Sequence, residues 1–198
     1  MEKTAIRGRP REFDTAEALA AALRVFWTKG YEGASLSDLT EEMGITRPSL
    51  YAAFGNKEEL FKQALDLYES EKLAYVRGAL EAPTARAVAQ RMLEGTIQNS
   101  PSECRGCLGV IATMSCGSGD SPIRDDLNER AQSARAALVE RMQRAIDEGD
   151  FSIPVEAEAM TRYLFALLQG ITVQARAGAS REDLRLVADA ALAVWPGR

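Results

Sequence analysis

Histidine is absent from this 198-residue chain. Ser-His-Asp triads, Cys-His dyads and zinc hydrolases depend on an imidazole that titrates or binds metal near neutral pH, so these classes are excluded. Cysteine is scarce and odd in number, and three thiols do not make a disulfide framework. Long hydrophobic runs are missing too: a membrane span needs roughly 18 uninterrupted apolar residues. The longest candidate, YLFALLQGITVQA at 163–175, is broken by Gln169, Gly170, Thr172 and Gln174, and no membrane association is expected. The opening MEKTAIRGRPREFD is polar and basic with no apolar stretch, which predicts no secretion signal and a cytoplasmic location. What is present is ordinary: 46% hydrophobic residues suffice for a core, and 27% charged residues suit a globular chain. The length fits one large domain, or a small domain joined to one of usual size.

The periodicity is helical almost throughout, so the fold class is all-α. Ala18, Leu19, Ala22, Leu23, Phe26 and Trp27 recur at three- and four-residue intervals, with Asp14 as N-cap and Gly30 as the stop. SLSDLTEEMG offers Ser35 as cap with Asp38 three residues on, and Leu36, Leu39 and Met43 as its inward stripe. Gly44 ends that helix. Thr46 caps the next, Pro48 sits in its first turn, and Leu50 and Phe54 point inward. Asn56 caps a fourth helix, read as continuous from Lys57 to Leu80.

Two short helices joined at a glycine and buttressed by a third predict a helix-turn-helix, whose second helix enters the DNA major groove N-terminus first. The first turn of GITRPSLYAAF carries unpaired N–H groups and a positive dipole end, and Arg47 and Ser49 add donors for base edges or backbone. No acidic side chain occurs from Gly44 to Lys57, although residues 1–60 hold eight basic and ten acidic side chains. The whole segment is thus no basic footprint, and placement of charge decides. Lys3, Arg7, Arg9 and Arg11 make residues 1–12 a basic arm that can follow the backbone or a minor groove.

Residues 13–65 resemble the N-terminal domain of the tetracycline-repressor (TetR) family of transcriptional regulators, through the GY-x-G-x-S turn, the LT-x-x-MGI-x-x-x-x-LY-x-x-F core and the N-K-E-x-L helix start. The resemblance implies that Thr46, Arg47, Pro48 and Ser49 lie at the base-reading end, and that Ser35, Tyr51 and Lys57 reach phosphates. Ala52 and Ala53 are smaller than the side chains frequent at those places, so DNA shape carries part of the specificity.

Residues 66–198 read as a helical domain for effector binding and dimerisation. Helices are expected from Pro83-Thr84 to about Gln98, through RGCLGVIATMSC, and from Ser121-Pro122 to about Asp147, the last with Leu127, Ala131, Ala134, Leu138, Met142 and Ile146 inward. The segment Met160–Ala175 is apolar on nearly every face and needs two partners: its own bundle, and most simply a second copy. The family resemblance likewise implies a homodimer, through about residues 156–195. Met92, Ile97, Cys107, Ile111, Met114 and Tyr163 are the expected effector-pocket residues.

Cys104 and Cys107 form a C-x-x-C pair at a helix start, with Cys116 nine residues on. Arg105 and the helix dipole favour thiolate, which fits a redox or electrophile sensor; Cys107 and Cys116 also fit as small core residues beside Leu108, Ile111 and Met114. A zinc site lacks a fourth ligand, so no metal and no cofactor is expected. The expected function is a dimeric repressor of a palindromic operator, released by a small-molecule inducer or by thiol modification. The alternatives are an all-α thiol oxidoreductase built on Glu103, Cys104 and Cys107, and a DNA-binding module whose second domain only dimerises or recruits a partner.

Overall fold

Side-chain caps set the register of the N-terminal third. In the computed structural model, which describes residues 13–99, 108 and 122–198, Asp14 accepts from the N–H of Ala16 at 2.7 Å and of Glu17 at 3.2 Å. That cap starts α1 (Thr15–Gly33), which breaks at Gly30 and continues for one more turn. Ser35 and Asp38 form a reciprocal capping box at the start of α2 (Leu36–Met43). Gly44 closes α2 with φ 64°, and its N–H and that of Ile45 reach back to Glu41 and Thr40 carbonyls. Only glycine adopts this left-handed geometry without Cβ strain. Thr46 then caps α3 (Arg47–Phe54), and Asn56 with Glu59 boxes the start of α4 (Lys57–Lys72).

Apolar side chains from these helices converge on one core. Phe26, Leu39, Leu50, Leu60 and Phe61 are completely buried in it. Phe26 meets Phe61 edge-on at 4.9 Å, and Trp27 meets Tyr68 edge-on at 5.0 Å. Such pairs add about 1 kcal/mol each beyond the area they bury. Leu108, Ile123 and Leu127 belong to the same core, so residues far along the chain complete the packing of the head (about residues 13–65).

The fourth helix is not continuous to Leu80. It ends as α4 (Lys57–Lys72), and α5 (Ala74–Leu80) starts after Leu73, whose φ of −102° and ψ of 6° interrupt the helix. The remaining helices are α6 (Ala85–Gln98), α7 (Pro122–Asp147), α8 (Ala157–Ala177) and α9 (Arg181–Ala193). A second core fills the space between them, around Leu93, Ile97, Leu138, Met142, Leu164 and Ile171. Arg141 is buried here. Its Nε and Nη2 donate to the carbonyls of Leu80 at 3.0 Å and Ala82 at 2.7 Å, holding the C-terminal end of α5 to α7, where a cation meets the negative end of the helix dipole. Asp150, also buried, accepts from the N–H of Ala85 at the start of α6.

The inward stripe expected along α7 also needs correction. Ala131 and Ala134 are exposed, and the inward stripe of α7 runs through Ile123, Leu127, Leu138, Met142 and Ala145. The first half of that helix packs on the head and its second half on the body (residues 66–198), so a single stripe does not run its whole length. Within one chain α8 is covered on one side, as a helix that needs a second partner would be: Leu164, Leu168, Ile171 and Ala175 face the core, while Tyr163, Ala166 and Val173 are exposed.

Candidate nucleic-acid interface

Eight residues build α3, and its surface divides cleanly. Leu50 and Phe54 enter the core, and Ala53 packs partly against it. Arg47, Pro48, Tyr51 and Ala52 are exposed, and Ser49 is half-buried. One of the two unusual alanines is therefore a packing residue, and only Ala52 stands open. At the cap, Thr46 Oγ1 accepts from the Ser49 N–H at 3.3 Å and lies 2.9 Å from Ser49 Oγ. These two hydroxyls hold each other at the helix start, next to the positive dipole end.

Arg47 projects from the first turn, and its Nη2 donates to Ser37 Oγ on α2 at 2.8 Å. Among the described residues no carboxylate pairs with it. Lys57, at the start of α4, lies 4.4 Å from the centre of the Tyr31 ring. Partial burial pushes its ammonium below the usual lysine range, against the opposing pull of Glu32. The ring holds the cation in place, since a positive charge over an aromatic face is attracted by its quadrupole.

Ser35 makes the α2 cap expected of it. Its N–H and O–H both donate to Asp38 Oδ2, at 2.9 and 2.8 Å, and its hydroxyl also accepts from the Asp38 N–H. Both donors serve the cap. Lys29, 2.7 Å from the other carboxylate oxygen, and then the Ser35 bonds hold the Asp38 carboxyl well below the usual range.

Sequence reasoning missed Ser37 and Tyr31. Neither has a local signal, because each meets its partner across a turn, ten and twenty-six positions away. Of the expected effector-pocket residues, Met92 and Ile97 are buried together in the second core. Tyr163 stands apart from them, 38% exposed and stacked against Trp195. Cys104, Cys107, Ile111, Met114 and Cys116, like the basic arm of residues 1–12, lie outside the described residues. An open groove of about 740 Å³ runs along α7, lined by Gln132, Arg135, Val139, Gln143, Arg144 and Glu158; it contains none of the expected pocket residues. Among the described residues no three His, Cys, Asp or Glu side chains gather as metal ligands, and no helix is long and apolar enough to cross a membrane.

Comparison with known proteins agrees with this geometry. Residues 18–64 match the family model for bacterial regulatory proteins of the tetR family, and residues 71–191 match the tetracyclin repressor-like C-terminal domain. The HTH-type transcriptional repressor ComR of Escherichia coli is 32% identical over 197 residues, covering 96% of this chain and 92% of ComR. Another E. coli repressor, BdcR, is 28% identical over 185 residues, covering 92% of this chain and 89% of its own. Among solved structures, a cysteine mutant of the TetR family regulator CifR in complex with a 26-bp operator duplex is 41% identical, with a TM-score of 0.88 and coverage of 96% of this chain and 100% of that one. A TetR transcriptional regulator from Rhodococcus is 36% identical but superposes less closely, with a TM-score of 0.63 over 92% of this chain and 100% of its own.

Proposed function

The chain belongs to the TetR family of bacterial regulatory proteins, and from that premise we propose that it is a cytoplasmic homodimeric repressor of a palindromic operator, released by an effector acting on the body. As a DNA-binding transcriptional regulator it is not an enzyme, which removes the thiol-oxidoreductase alternative. The observation that carries the reading is the exposed, acid-free start of α3, where Thr46, Arg47, Pro48 and Ser49 stand beside a helix dipole end with the Arg47 charge unpaired among the described residues. These four read the groove, while Tyr51 and Lys57 touch phosphates and position the head. Ser35 caps α2 and joins the phosphate contacts at that helix start. The basic arm of residues 1–12 follows the neighbouring backbone.

Dimerisation is supported by the apolar residues left in water on α8, α9 and just after: Tyr163, Val173, Leu186 at 66% and Val194 at 72% exposure. A second copy covering residues 156–195 sets two recognition helices about one DNA turn apart. The inducer is apolar or amphipathic and enters the body beside Met92 and Ile97; Cys107, Ile111, Met114 and Tyr163 complete the set that responds to it. Modification of Cys104, Cys107 or Cys116 acts on the same segment. Leu108 is buried in the head's core, so a change along that segment is felt by the packing that supports α3. Release then follows if the effector-bound form favours a head arrangement that fits the operator less well.

Selection of bound duplexes from a random pool tests the reading. A recovered palindrome bound by two protomers is expected, and an unenriched pool would sink the proposal. Treatment of the operator complex with a thiol alkylating agent should release DNA; equal release from a variant lacking all three cysteines would remove the thiols from the mechanism.

A further inference from the structure

Arg47 is a long, exposed side chain on the first residue of α3, and left alone it would sample many rotamers. Holding such a chain in one geometry costs conformational entropy, which weakens base readout unless the free protein already holds it. In the structure one guanidinium nitrogen is already committed: Nη2 donates to Ser37 Oγ at 2.8 Å, across the turn between α2 and α3. A guanidinium is a planar fork, so fixing one nitrogen fixes the plane in which the other donors lie. Nε and Nη1 remain available to a base edge. Ser37 has no part in the α2 cap, which Ser35 and Asp38 complete by themselves. Its hydroxyl accepts from Arg47 and can still donate to a phosphate oxygen.

We infer that Ser37 is a specificity-determining positioning residue, which aims Arg47 at its base pair and ties that aim to the backbone contact of α2. The inference rests on the reading of α3 as the recognition helix. Ser37 acts through Arg47, so its removal changes discrimination more than general affinity for DNA.

The test measures binding of the full-length protein to the palindrome recovered from the random pool and to a scrambled duplex of equal length, in parallel. Ser37→Ala should lower the preference for the palindrome about fivefold, as expected for the net strength of one typical hydrogen bond, with a smaller loss of affinity for the scrambled duplex. Ser37→Thr keeps the hydroxyl and should restore the preference. In an Arg47→Ala background Ser37→Ala should have no further effect, because its partner is gone. Ser37 is exposed and alanine favours helix, so circular dichroism and thermal unfolding should match the wild type. A Ser37→Ala protein with wild-type preference overturns the inference, as does equal weakening on both duplexes, or an effect that multiplies with that of Arg47→Ala. If Arg47→Ala itself leaves the preference intact, the assignment of α3 as reader falls first and takes this inference with it.

Discussion

The head and the body treat apolar surface in opposite ways. Among the described residues the head exposes one large hydrophobic side chain, Tyr51 on α3; the body exposes Ile153, Tyr163, Val173, Leu186 and Val194, four of them on α8, α9 and the turn after it. A surface meant for a polyanion needs donors and charge, and apolar groups contribute little there. A surface meant for a second copy of the chain needs apolar area, because interface cores exclude charge. The polar contacts differ in the same way. The head's are made by exposed or half-buried side chains, as helix caps and as pairs such as Arg47–Ser37 and Lys29–Asp38, whereas the body buries Arg141 and Asp150 to tie elements far apart in sequence.

The largest way to break this contrast is to place charge on the apolar face. The double variant Val173→Arg with Leu186→Arg should be monomeric by light scattering, and operator affinity should fall about a thousandfold, to the non-specific level. The full-length variant should keep native near-ultraviolet circular dichroism, since both positions are exposed. A cavity in the head is the next test. Leu50 is completely buried, so Leu50→Ala should cost about 3 kcal/mol of head stability in urea titrations. Arg130 ties α7 to the second half of α4, the helix that leads out of the head: it donates to Asp66 at 2.7 Å and Glu69 at 2.9 Å on α4, and to Asp126 at 2.8 Å on its own helix. Arg130→Met should lose about 1 kcal/mol, and the transitions followed by head and body probes should separate. Lys57→Ala should weaken all duplexes alike and lower the salt slope of binding by about one contact.

The smallest expected effect is pH-dependent. The Asp38 carboxyl is held below its ordinary range, first by Lys29 and then by Ser35. The unfolded chain therefore takes up this proton before the folded one does. The contribution is fully present above about pH 4 and is lost as pH falls toward the depressed folded value. In acid titrations Asp38→Asn should flatten that part of the stability profile; an unchanged slope would show that the Lys29 pair is not maintained in solution.

Much of the head was legible because its determinants are local. A cap and its acceptor lie within three residues of each other, as in Asp14, Ser35, Thr46 and Asn56, and an inward stripe repeats every three or four. The start of α3 was recognisable for the same reason. Asp38's box and the stops at Gly30 and Gly44 follow from single residues and their neighbours. The break between α4 and α5 had no such signal, since Leu73 is neither glycine nor proline and its geometry comes from the packing on either side. Ala131 and Ala134 fit the helical period, yet period alone cannot say that α7 changes partners midway.

By itself, then, the sequence determined the helical fold, the caps of the head's helices and the exposed, acid-free start of α3, because each depends on interactions spanning at most a few positions. Tertiary structure decided what depends on contact between distant segments. It brought Ser37 to Arg47 and Tyr31 beneath Lys57, carried Leu108, Ile123 and Leu127 into the head's core, buried an arginine that composition would place in water, and left one side of α8 uncovered. An apolar or charged residue states what kind of neighbour it can accept; only the folded chain supplies the neighbour.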